Sequence, residues 1–436
     1  MWVKRGCRGL FFCNAVLVEC GKRHKASTTC NCTGEAPLNS LTTINRLAVK
    51  PRAVQVLRLD TIGLPTLRYF TVVEDETTAS DSAPGGVDNV LLVARIDLPK
   101  RSTMPRTTQL DFATIVLSMR PRPGAGFGLQ TILHDYSLSH NLVLRKHGQE
   151  LYAVGGQATF PKHRELKFDP RVRNDLRDGV RLLRADNVAS LRAGRWSSTN
   201  HSGLPLLTSG RHPGCVSQLR SGVPLPRCEY DGKLGLVRHR ERWLLYARAN
   251  TKPWGGRFLQ VASSAADDVA GPYGPFRRLS IRGYDARSDA NIYFAAVNVN
   301  PVRIGSRSTL LGLFPINLGE VGTPNGNGEA FVALSLSCDG VHWSELTPLV
   351  WCLGVDGRTL DHPVDGIVAH EGVGVHFWLA RDAFGVLGRH RRWRNETSDT
   401  PRLVRYELRW DVLEALTARA LGTSGGLEGC AATVPP

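Results

Sequence analysis

The residues best suited to proton transfer in this chain stand at the starts of short apolar runs. Glu229 and Asp231 open one (EYDGKLGLVRH), Asp361 and Asp365 flank His362-Pro363 in another (DHPVDGIVAH), and Asp289 precedes Asn291 in a third (DANIYFAAV). A fourth run begins at His140-Asn141 (HNLVLRKHG), where the nearest acid is Asp135. Carboxyl groups gathered in pairs, one protonated and one ionised, can act as general acid and general base. Residues two apart in a strand share a face, so Glu229 and Asp231 can point the same way. Arg248 (YARAN) and Arg257 (GGRF) carry forked donors able to clamp hydroxyls or an acidic group. Trp254, beside Gly255-Gly256, is the better ring for stacking, whereas Tyr246 and Tyr293 hold strand positions that favour packing.

Such groups need a scaffold that brings several strand starts together. The stretch 228–276 reads as an acidic turn, a short apolar strand, a charged hairpin, an aromatic-ended strand, a third strand and a Gly-Pro-Phe ending. That is one four-stranded antiparallel unit. Weaker copies begin at Ser139, near Asp289 and at Asp361, and strands within 47–118 supply one more. Repetition of such a unit predicts an all-β, five-bladed β-propeller, with a site at the mouth of its central channel. PRPGAGFG reads as a loop before the repeats. The domain is expected over 43–421, after a leader or disordered segment (1–42) and before a disordered tail (422–436). A short C-terminal helix is expected over 411–421, where Asp411 and Glu414 have capping-box spacing.

The bulk composition fits this scaffold. With 436 residues, 42% of them hydrophobic, the chain can bury a large core. The net charge of +16 invites a nucleic-acid partner. Yet the arginines are scattered, and there is no zinc-finger spacing, RNA-recognition signature or basic helix, so nucleic acid is not favoured. Cysteines crowd the first 32 residues and are sparse afterwards. Their spacing fixes no connectivity: a Cys215–Cys228 link is geometrically possible, and unpaired, partly buried thiols are the plainer expectation. Lys4, Arg5 and Arg8 followed by an apolar run from Gly9 to Cys20 fit a secretory signal, and an organellar transit peptide about as well. A secreted or endomembrane location is therefore expected. No run of 18 or more apolar residues occurs, so no transmembrane segment is expected, and a monomer is.

The strand starts His140-Asn141, Glu229-Tyr230-Asp231-Gly232, Asp289-Ala290-Asn291 and Asp361-His362-Pro363, with the blade ending Ser337-Cys338-Asp339-Gly340 to Trp343, resemble those of the five-bladed β-propeller glycoside hydrolases. This is the arabinanase, xylosidase, invertase and levansucrase-like class, and the likeness of a divergent member covers roughly residues 130–410. It implies hydrolysis or transfer of a glycosyl group on an oligo- or polysaccharide, by an acid and a base or nucleophile across the scissile bond. The resemblance puts Asp231, Asp361, Asp365 and Glu229 in the catalytic role. It puts His140, Asn141, Arg248, Trp254, Arg257, Asn291 and His362 around the substrate. No cofactor is required; His362 on the axis could hold a structural ion or water. This chain departs from the pattern at Asn141 and Asn291, which stand where acids are expected. A non-catalytic carbohydrate-binding propeller is thus the alternative, and a basic propeller on an anionic polymer the second. The Asp339 turn is read as scaffold: the carboxylate binds its own turn, Gly340 takes a positive φ, and Trp343 packs between blades.

Overall fold

The computed structural model describes residues 49–58, 67–74, 90–97, 112–122, 126–135, 142–156, 179–198, 206–208, 233–250, 257–284, 290–303, 307–318, 330–351, 361–381 and 402–422, with shorter pieces within 2–29 and 213–230. Runs rich in Val, Ile, Leu and aromatic residues, broken by turns every few residues, give strands rather than helices. Among the described residues helix is confined to α1 (Val188–Arg192) and α2 (Trp410–Gly422).

The longer strands, in chain order, are β1 (Arg52–Arg58), β2 (Leu67–Glu74), β3 (Val90–Asp97), β4 (Phe112–Arg122) and β5 (Gly126–Asp135). Next come β6 (Val143–His147), β7 (Glu150–Gly156), β8 (Gly179–Ala185), β9 (Gly235–His239), β10 (Arg242–Asn250) and β11 (Arg257–Ser263). The last are β12 (Ala296–Val299), β13 (Leu310–Leu318), β14 (Ala330–Ser337), β15 (Thr347–Trp351), β16 (His362–His370), β17 (Gly374–Arg381) and β18 (Arg402–Arg409).

Antiparallel hairpins build successive units: β2-β3-β4-β5, β6-β7-β8, β9-β10-β11, β12-β13-β14-β15 and β16-β17-β18. Two-residue segments extend the shorter ones, such as Arg277–Arg278 beside β11. Two features differ from the sequence expectation. Pro121 and Arg122 end β4 and Gly126 to Gly128 begin β5, with Arg122 opposite Gly126, so parts of the expected loop are strand and β5 forms the outer strand of the first unit. Asp135 therefore ends an outermost strand. And β1 does not belong to that first unit. It pairs with β18, from Arg58 opposite Arg402 to Arg52 opposite Glu407, so an N-terminal strand completes the C-terminal unit. The local pattern of β1 is that of any short strand; only the ring geometry tells which unit lacks an edge.

The inner strands adjoin in the order β2, β6, β9, β12, β16. The circle returns through a parallel bridge between Asp365 of β16 and Thr71 of β2. A separate apolar core fills each gap between neighbouring units, for instance Phe70, Leu92 and Trp378 between the last and the first. Val93, Leu144 and Leu151 fill the next gap, and Leu234, Leu236 and Trp243 the one after. Tyr246, Phe314 and Trp343 fill the fourth, and Leu313, Phe377 and Tyr406 the last. Strands packed on both faces read as continuous apolar runs, because both faces are core.

The Asp339 turn follows its expected geometry. Asp339 Oδ1 accepts from the amides of Val341 and His342, each at 2.8 Å, and Gly340 has φ 81°. Trp343 packs edge-on to Phe314 of its own unit and Tyr246 of the preceding one. Cys215 and Cys228 form a disulfide, and Cys338 is also disulfide-bonded. This overturns the expectation of unpaired thiols at those positions. The helix α2 begins at Trp410, with Asp411 in its first turn and ion-paired to Arg409. It docks through Leu413 and Thr417, whose hydroxyl receives Asn300 Nδ2 at 3.0 Å. No helix is long and apolar enough to cross a membrane.

Candidate functional site

Because the inner strands run side by side around a ring, their starts meet at one end of it. Tyr69 comes from β2, Lys233 from just before β9, Tyr293 and Phe294 from just before β12, and Asp361 and His362 from the start of β16. Tyr69 reaches this position by an unusual backbone. Its φ is 53°, and the register of β2 against β3 shifts between Arg68 and Thr71. A bulge of this kind re-aims a side chain, and a tyrosine at positive φ is held there against its own preference.

The re-aimed ring lies on His362. Tyr69 and His362 stack with centroids 5.4 Å apart, and Tyr293 stacks on His362 at 5.6 Å. The Tyr69 and Tyr293 hydroxyls are 3.3 Å apart. Phe294 meets the His362 ring edge-on at 5.2 Å. Guanidiniums surround the stack: Arg248 and Arg257 lie 5.0 and 4.9 Å from the Tyr293 centroid, and Arg95 lies 5.9 Å from that of Tyr69. Asn291 Oδ1 accepts the Arg257 amide at 2.8 Å, fixing the start of β11. Burial raises the Tyr69 pKa well above its ordinary value, Tyr293 adds to the rise, and Arg95 and Arg248 pull against it. Tyr69 is therefore a phenol at any physiological pH.

The two aspartates of β16 part company. Asp361, next to His362 in the chain, receives Arg381 Nε at 2.8 Å; Arg381 also donates to the Tyr406 hydroxyl at 3.1 Å. Burial pulls the Arg381 pKa down, but Asp361 and Tyr406 outweigh it, and the net shift is upward. Asp365, fully buried, faces the ring axis. Its Oδ1 receives Arg145 Nη2 at 2.5 Å. The same guanidinium donates to Leu144 O at 3.2 Å, Leu236 O at 2.5 Å and Val297 O at 2.6 Å. Thr71 Oγ1 donates to Asp365 O at 3.1 Å, and the Lys233 ammonium donates to Phe70 O. One arginine thus touches β6, β9, β12 and β16, and its carboxylate partner sits at the bridge to β2. Burial lowers the Lys233 pKa to about 7, against the opposing pull of Asp365.

Of the residues singled out in the sequence, His362, Arg248 and Arg257 meet at the tyrosine stack, Asn291 holds the Arg257 amide, Asp361 is paired with Arg381, and Asp365 is paired with Arg145. His140, Asn141, Glu229, Asp231, Trp254 and Asp289 lie outside the described residues. Among the described residues no cluster of three or more His, Cys, Asp or Glu could hold a metal ion. Sequence reasoning missed Tyr69, Arg145, Lys233 and Arg381, and set Tyr293 down as packing. A lysine or arginine inside an apolar strand (DGKLGL, LVLRKH) was the available signal, since a charge there is buried only with partners. Nothing local marks Tyr69.

No family model matches the sequence, and no curated protein matches it. Solved structures do resemble it. A glycoside hydrolase matches with TM-score 0.45 and 11% identity, over 82% of this chain and 92% of that one. A family 117 glycoside hydrolase from the marine bacterium Zobellia galactanivorans gives TM-score 0.44 and 11% identity, over 83% and 92%. A β-1,2-mannobiose phosphorylase from Listeria innocua gives TM-score 0.41 and 12% identity, over 85% and 95%.

Proposed function

We propose that the chain is a five-bladed β-propeller that binds carbohydrate at the mouth of its central channel. The ring of inner strands and the apolar core in each gap between units support the architecture. The observation that carries the function is the Tyr69–His362–Tyr293 stack, flanked by Arg248 and Arg257, with Asp361 next to His362 in the chain. A sugar presents apolar C–H faces together with many hydroxyls. Aromatic rings meet the first, and guanidinium donors and a carboxylate acceptor meet the second.

Asp365 takes no part in proton transfer under this reading, because it is spent on Arg145 at the axis. Asp361 remains at the mouth, and hydrolysis or transfer needs a second carboxyl group opposite it, from Glu229 or Asp231. The Cys215–Cys228 disulfide supports a secreted or endomembrane protein. A monomer without a cofactor is sufficient for this function.

Calorimetric titration with arabino-, xylo-, manno- and galacturono-oligosaccharides tests binding. At least one is expected to bind, and Tyr293→Ala to weaken it tenfold or more, about 1.4 kcal/mol. Unchanged affinity in a folded Tyr293→Ala protein would sink the site. Release of 4-nitrophenol from aryl glycosides tests catalysis: Asp231→Asn and Asp361→Asn each abolish turnover if the carboxyl pair is used. A basic propeller gripping an anionic polymer by its outer face would keep its affinity in Tyr293→Ala and lose it with salt.

A further inference from the structure

Cys338 is disulfide-bonded, and its surroundings point to the partner. It is buried at the start of the Asp339 turn, directly after β14. Three parts of the molecule meet there. His239 of β9, in the preceding unit, shares a hydrogen bond with Cys338 O through its Nε2 at 2.9 Å. The turn itself is fixed by Ser337 Oγ, which receives the Gly340 amide at 2.8 Å. On the third side, Ala420 and Leu421 from the last turn of α2 pack against Cys338. Cys215 and Cys228 hold each other, so the partner is Cys352, Cys430 or one of the five cysteines within the first 32 residues. Two cysteines can be bridged only where their Cα atoms lie within about 7 Å. Cys352 follows Trp351, which pairs with Phe331 at the opposite end of β14, and the strand from Phe331 to Ser337 is about 20 Å long. Cys430 stands nine residues after Leu421, on a tether that spans about 30 Å when extended and starts in contact with Cys338. Of the N-terminal five, Cys32 is nearest to the folded body in the chain, seventeen residues before Val49, and a longer tether gives a lower local concentration.

We propose that Cys338 pairs with Cys430, so that the chain after α2 is drawn back and clasped to the fourth unit. α2 already bridges the seam between the last two units. Its Leu413 sits in one core with Leu313 and Leu336 of the fourth unit and Phe377 and Leu408 of the last, and Thr417 receives Asn300 Nδ2 at 3.0 Å. The loop that the bond closes, from 338 to 430, contains β15, the strands β16 to β18 and α2. A cross-link over such a span removes open conformations from the unfolded chain, and here it holds the last unit against the fourth. Forming it takes one proton and one electron from each thiol. A protein or small-molecule disulfide of an oxidising compartment accepts both electrons and both protons and leaves as two thiols.

Peptide mapping of the whole chain, folded under oxidising conditions and then alkylated in denaturant without reduction, tests the pairing. Trypsin with a glutamate-specific protease cuts after Glu345 and so separates Cys338 from Cys352. A peptide pair joining Cys338 to Cys430, lost on reduction, is the expected result, and it needs no variant to fold. Cys338 joined to Cys352 or to an N-terminal cysteine, or found alkylated, would overturn the pairing. Cys430→Ser tests what the bond does. In that variant Cys338 is expected to become newly alkylated, and Tm to fall by about 5 °C or more. With dithiothreitol present, wild type and variant both lack the bond, and their Tm values should coincide. An unchanged Tm without reductant would overturn the clasp. So would a difference that persists in dithiothreitol, because it would belong to the serine side chain rather than to the bond.

Discussion

Two aspartates four residues apart on β16 define two regions with different physics. Asp365 belongs to the axis, where Arg145, Lys233 and Thr71 tie the inner strands into a circle. Asp361 belongs to the mouth, where its partner Arg381 comes from the next strand of its own unit. At the axis the charges face each other in the interior and hold backbone carbonyls of several units. At the mouth, guanidiniums lie over aromatic rings. The first arrangement closes a structure; the second is the one proposed above to bind a ligand. Two aspartates where inner strands converge thus differ in whether the partner arginine binds backbone of several units or stays within one.

Separating the two regions experimentally begins with the largest effect. Asp365→Asn leaves the Arg145 charge buried without its counter-ion, and about 3–5 kcal/mol of stability should be lost. Asp361→Asn should cost about 2 kcal/mol, because Arg381 keeps Tyr406 and some solvent, while ligand affinity falls. Urea unfolding of the two variants side by side decides; equal losses would erase the distinction between axis and mouth. Next comes the seam between the last and first units. Gly366 has φ 114°, and a Cβ there would lie 2.4 Å from Val72 O, so Gly366→Ala should cost about 2–3 kcal/mol. Wild-type stability in that variant would mean that the seam yields easily.

The last effect is a pH dependence. Burial holds Lys233 at about 7 in the folded state, and a free lysine titrates near 10.4. Between these values the unfolded chain binds a proton that the folded chain lacks, so stability rises as pH climbs above 7. Below 7 both states carry the proton, and the penalty of the buried ammonium is constant. The difference in unfolding free energy between wild type and Lys233→Met, followed from pH 6 to 9, should change in that direction. A flat difference would place Lys233 in a wetter setting than the axis.

Much of the scaffold was legible. Short apolar runs with charged hairpins identified the units, and the Asp339 turn declared its own geometry through Asp, Gly and Trp. The sequence also singled out the starts of β12 and β16, and with them Asn291, Asp361 and His362. Other features left no local trace. β1 carries no mark of the unit it completes, because any exposed edge strand with its alternation could fill the place. Tyr69 reads as an ordinary strand residue until the bulge turns it. Asp365 and Asp361 look alike in DHPVDG, since the sequence shows the acids but not which arginine, 220 residues away or 20, each will meet.

The sequence by itself determined that this chain folds as repeated antiparallel units, with polar and acidic residues at the starts of inner strands. Period, turn chemistry and β-branched runs are local properties, and they act over a few residues. Only the tertiary structure decided that the ring closes through β1 and the Asp365–Thr71 bridge, and that Arg145 spans four inner strands. It alone gathered Arg95, Arg248 and Arg257 around the Tyr69–Tyr293 pair. Those outcomes depend on which distant residues become neighbours when the inner strands converge, and on the low polarity of the interior that makes each buried charge find its partner.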